Sequence, residues 1–113
     1  MNFALKQITA LVLSLFVTTS AFAHGHCGKY EENQAYMAAI RTVASRMQYK
    51  ALELCALPTL ADIYVSSTSL VDSETGEVIP HSWVTLHYNE YSCQYFVRNS
   101  DQSLTKSNCY NTW

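Results

Sequence analysis

The sequence predicts an α+β fold: an N-terminal helix, straight or bent, packed on a four-stranded antiparallel meander and stabilised by disulfides. Three observations carry this expectation. From about Tyr30 to Ala56 there is no glycine or proline, and apolar residues recur every three or four positions. Beyond Pro58 the period changes to two, in segments separated by turn residues. Four cysteines follow an export-type leader, in a chain too short to bury a large core.

Residues 24–29 read as an irregular arm with two glycines. In the helical stretch Met37, Ile40, Ala44, Met47, Ala51 and Leu54 share one face, and Arg41, Ser45, Gln48 and Glu53 fall largely elsewhere. Glu31 and Glu32 suit the positive end of the helix dipole, and Pro58 stops the element.

The first strand runs through Ile63, Val65, Ser67, Ser69 and Val71, with Tyr64 on the opposite face. Residues 72–77 form a turn in which Gly76 supplies a positive φ. The second strand, Val78 to Tyr88, places Val84, Leu86 and Tyr88 on one face and His81, Trp83, Thr85 and His87 on the other. Asn89-Glu90 serves as a two-residue turn. With Tyr88 opposite Tyr91, Leu86 meets Cys93, Val84 meets Tyr95 and Ser82 meets Val97 on the apolar face. On the reverse face Trp83 meets Phe96 and His81 meets Arg98. A turn at 99–102 leads to a polar fourth strand from Leu104 to Tyr110, whose composition suits a sheet edge. The layout resembles cystatin-like folds, in which a sheet curls around a leading helix; the likeness is architectural and implies no activity.

The cysteines pose a distance problem. A short turn at 100–102 sets Cys93 opposite Cys109, but a straight helix over 30–56 spans about 40 Å and keeps Cys27 from Cys55. Two arrangements remain. Either the helix bends near 45–50 and the pairs are Cys27–Cys55 and Cys93–Cys109, or the helix is straight and Cys27 is left with one other thiol. Uninterrupted apolar spacing favours the straight helix. An even cysteine count in an oxidising compartment favours full pairing, the preferred expectation.

The leader places that compartment outside the cytosol. Lys6, an apolar run from Ile8 to Val17 and Ala21-Phe22-Ala23 have the form of a secretory signal cleaved after Ala23. The expected organisation is therefore a signal peptide over 1–23 and one small domain over 24–113, periplasmic or secreted. The apolar run is short for a membrane span, and no later segment is apolar enough for one. Loss of Lys6 with the leader leaves six basic against nine acidic residues, a net charge of about −3. With no basic stripe, nucleic acid is a poor partner.

Cleavage would expose His24-Gly25-His26-Cys27, which resembles the amino-terminal copper and nickel motif. Its α-amine, two backbone amides and the His26 ring suit tetragonal Cu(II) or Ni(II), with His24 and a reduced Cys27 as further ligands. The competing reading is a polar leader junction with Cys27 as half of a structural disulfide and no cofactor. His81 and His87 share a face but lie about 20 Å apart on an extended strand, too far for one metal ion. No nucleophile elbow, zinc-protease helix or phosphate loop is present, so an enzyme is not expected.

The outward sheet face carries Trp83, Phe96 and Tyr64 with Arg98 at the rim, residue types that dominate protein interfaces. Cross-strand aromatic pairing alone also accounts for them, and a curled sheet or a homodimer would cover them. The leading expectation is a small exported module of accessory, inhibitor or immunity type that binds another exported protein through this face. A copper or nickel binder is the second reading and a glycan-binding module the third.

Overall fold

The computed structural model describes residues 25–112; residues 1–24, which include the expected signal peptide, and Trp113 lie outside them. A 3-10 helix, Gly25–Tyr30, leads into helix α1 (Gln34–Arg46) and the short helix α2 (Ala51–Cys55). Strands β1 (Leu60–Val71), β2 (Val78–Tyr88), β3 (Tyr91–Arg98) and β4 (Leu104–Asn111) follow as an antiparallel sheet in the order β1-β2-β3-β4. This is the α+β architecture expected from the periodicity.

The helical stretch departs from the sequence expectation at its start, and its break falls within the 45–50 bend that full disulfide pairing implies. Its start is a separate 3-10 turn, and α1 opens only at the Asn33 cap, whose side-chain oxygen accepts the Tyr36 N–H at 3.1 Å. α1 ends in a Schellman motif: the Gln48 N–H donates to the Ser45 carbonyl at 3.0 Å and the Tyr49 N–H to that of Ala44 at 2.8 Å. Gln48 sits at φ 64°, the left-handed conformation that usually calls for glycine. A glutamine there hides the break, and the apolar stripe resumes in α2. Gln48→Gly is therefore expected to stabilise the fold by about 1 kcal/mol, read as a higher urea midpoint at constant slope.

The bend brings the chain ends of the helical unit together. Cys27 bonds Cys55 with Cα atoms 5.4 Å apart, and Cys93 bonds Cys109 at 4.0 Å, so all four cysteines are oxidised. The short Cα distance marks Cys93–Cys109 as a non-hydrogen-bonded cross-strand pair. Both pairings are those of the bent-helix arrangement; the straight-helix alternative does not form.

Ala39, Ile40, Val43 and Ala44 from α1 and Leu54 from α2 are fully buried against Ile63, Val84, Leu86 and Val97. These strand residues share one face, because the register pairs Ile63 with Leu86 and Cys93, Val65 with Val84 and Tyr95, and Ser82 with Val97. The β2–β3 register is the one that the Asn89-Glu90 turn implies.

The two sheet edges differ. On β1 the Tyr30 hydroxyl accepts the Val65 N–H at 3.0 Å and approaches the Ile63 carbonyl at 3.4 Å, so the 3-10 helix covers that edge. β4 is exposed, polar and open along its outer side.

Candidate functional site: the outer sheet face

Alternation along each strand sets the outer face. In one row Ser66, Trp83, Phe96 and Lys106 lie side by side across the four strands. The next row towards the β2–β3 turn holds Tyr64, Thr85, Gln94 and Asn108, and the row on the other side holds Thr68, His81 and Arg98.

Trp83 and Phe96 stack with centroids 5.7 Å apart and planes 12° from parallel, both half-buried. Lys106 Nζ stands 5.8 Å from the Phe96 ring. Trp83 Nε1 and Arg98 Nε are buried atoms with no hydrogen-bond partner. Tyr64 belongs to a neighbouring group. It is 53 % exposed, meets the His87 ring edge-on at 5.3 Å and carries Lys29 Nζ 4.4 Å above its own ring. The expected partner-binding residues thus share one face, in two groups.

Lys29 and Asp62, which the sequence does not single out, tie the 3-10 helix to this face at 3.0 Å. Desolvation alone would favour both neutral forms, but the hydrogen bond between them prevails. It holds the Asp62 carboxyl below its ordinary 3.8 and the Lys29 ammonium above its ordinary 10.5.

The two strand histidines have internal partners. His81 is 2 % exposed; its Nδ1 lies 2.8 Å from the Ile79 carbonyl and its Nε2 2.9 Å from Thr105 Oγ1. His87 Nδ1 lies 2.7 Å from Ser92 Oγ, within reach of base and nucleophile, and Asp62 faces His87 across the register. Ser92 is completely buried, however, so no substrate carbonyl reaches its hydroxyl from this face. Its geometry is that of a satisfied buried hydroxyl.

At the amino terminus His26 Nδ1 lies 3.9 Å from Asp62, and Gly25 packs on the Cys55 carbonyl. Because Cys27 is bonded to Cys55, the reduced-thiol role considered for it does not apply in this form. The remaining amino-terminal donor, His24, lies outside the described residues.

A tyrosine cluster on the helix-facing side also escaped the reading of candidate sites. Tyr88 stacks on Tyr91 at 4.6 Å, with Tyr95 and Tyr49 close by. Burial, with the neighbouring tyrosines adding to it, pushes the Tyr88 phenol up to about 12. A raised phenol pKa contributes stability below about pH 10 that is lost as pH rises through 12. After screening by solvent, the loss is expected to be about 1–2 kcal/mol. Tyr88→Phe should remove that part of the alkaline decline in an unfolding series at pH 9–12.

Comparison of the chain with protein-family models, with curated proteins and with solved structures gave no match. The functional reading therefore rests on the residues themselves.

Proposed function

We propose that the chain is an exported protein-binding module of accessory, inhibitor or immunity type, and that its outer sheet face is the contact surface. The observation that carries this reading is the half-exposed Trp83–Phe96 stack on the face opposite the core, with the unpartnered Trp83 indole N–H inside it. Aromatic pairing would steady the sheet on either reading. The unpaired indole N–H is itself buried and closed to a partner's acceptor, so the accessible part of the stacked rings supplies the contact. The leader and the two disulfides support an oxidising destination.

Affinity capture from the exported fraction of the native host tests the reading. Wild type and Arg41→Ala, altered on the exposed side of α1, should retain one discrete partner that Trp83→Ala loses. Retention of that partner by Trp83→Ala would remove the face from the proposal.

A further inference from the structure

Beside the aromatic pair the outer face holds a notch of about 240 Å³ between the β1–β2 hairpin and the ends of β3 and β4. Leu70, Val71 and Ile79 form its apolar wall, with Val71 65 % exposed; Arg98 and Lys106 form its cationic wall. His81 and Thr105 floor it, each already satisfied by the other.

Asp72 also lines the notch, and Asp101 stands outside the lining beside Arg98; the Oδ1 atom of each is engaged by its own turn. Asp72 Oδ1 accepts the Glu74 N–H at 2.8 Å and the Thr75 N–H at 3.3 Å. Asp101 Oδ1 accepts the Ser103 hydroxyl at 2.7 Å and the Ser103 N–H at 3.1 Å, leaving Oδ2 a long 3.4 Å contact to Arg98 Nη1. Arg98 Nε has no partner but is buried, so it leaves the guanidinium underpaired without itself being open to a ligand. Lys106 Nζ has a ring contact but no ion pair among the described residues. An acidic protein thus keeps two incompletely neutralised cations at one concave spot, next to exposed apolar side chains. Guanidinium and ammonium groups so placed match a carboxylate, and the hairpin wall matches a short branched apolar group beside it.

We infer that this notch receives an acidic side chain of the protein partner, flanked by an aliphatic residue. The carboxylate lies between Arg98 and Lys106, and the aliphatic group lies against Leu70, Val71 and Ile79. The inference rests on the protein-binding reading of the same face and names the chemistry that the partner must present there.

The test is a titration of the oxidised, ¹⁵N-labelled protein, following the Arg98 Nε–H and Trp83 indole N–H resonances. Three probes are used: N-acetyl-valyl-glutamyl amide, its glutaminyl counterpart, and N-acetyl-glycyl-valine with a free terminal carboxylate. The glutamyl amide should move the Arg98 resonance saturably, with a dissociation constant on the order of 1–10 mM. The glutaminyl amide should bind at least ~10-fold more weakly, and Arg98→Gln or Lys106→Gln should each weaken the glutamyl amide by ~5-fold or more. Arg41→Ala, on the exposed side of α1, should leave this binding within about 2-fold. Loss of partner capture in Trp83→Ala with no glutamyl response would overturn the notch and keep the aromatic contact. A glutamyl response with capture unchanged in Trp83→Ala would keep the notch as a carboxylate site and remove the aromatic contact. Equal response to the glutaminyl amide, or response to the free terminal carboxylate alone, would also overturn the inference.

Discussion

Replacing Cys27 and Cys55 together by serine is expected to lower the unfolding free energy by about 3.5 kcal/mol. The bond closes a span of 28 residues, and removing that constraint from the unfolded chain accounts for most of the loss on the chain-entropy account. The structural consequence is local. The 3-10 helix would keep the Tyr30 hydroxyl on β1, the edge contact of Tyr30 with Tyr36 and the partly exposed Lys29–Asp62 pair, the last worth little alone. For a domain of this size the loss corresponds to a melting temperature lower by roughly 15–25 °C. Cys93 and Cys109 close a span of 16 residues already joined by the β3–β4 ladder, so the matching double variant should lose about 3 kcal/mol. Thermal unfolding of both variants checks the order. A Cys27/Cys55 variant that melts with wild type would mean that the amino-terminal turn contributes nothing to the fold.

Gly25→Ala is expected to cost about 2–4 kcal/mol although it adds one methyl group. Gly25 has φ 51°, a conformation that strains any L side chain. A methyl group there would also run into the Cys55 carbonyl, with its carbon only 2.9 Å away. That carbonyl is main chain beside a disulfide and cannot swing aside, so the 3-10 helix must lift from α2. Gly76→Ala is the internal control. Gly76 has φ 74° but nothing within 4 Å of the added methyl, so only the backbone strain of about 1–2 kcal/mol applies. Equal losses in the two variants would show that close packing at Gly25 is not needed.

What could be read in advance follows from which physical signals are local. The β2–β3 register was legible because a two-residue turn and a period of two leave one pairing that buries Val84, Leu86 and Val97 together. The same register puts Trp83 against Phe96, and the short turn at 100–102 puts Cys93 against Cys109. The break at Gln48 was legible only through the cysteine distances, because its local signal is a positive φ that glutamine does not advertise and because both helices present apolar residues to one core. Edge protection by Tyr30 and the Lys29–Asp62 tie depend on residues 33 positions apart, which no local pattern reveals. At the site, composition marked Trp83, Phe96, Tyr64 and Arg98. It could not mark which carboxylates their own turns occupy, and that occupancy leaves Arg98 and Lys106 incompletely neutralised.

Partner binding through the Trp83–Phe96 face is measured by the affinity of the captured partner for wild type and for Trp83→Ala. A hot-spot tryptophan is worth about 2 kcal/mol or more, so the variant should bind ~30-fold more weakly or worse while its two disulfides remain formed. Affinity within about 2-fold of wild type, in a variant that still unfolds cooperatively, would contradict the claim.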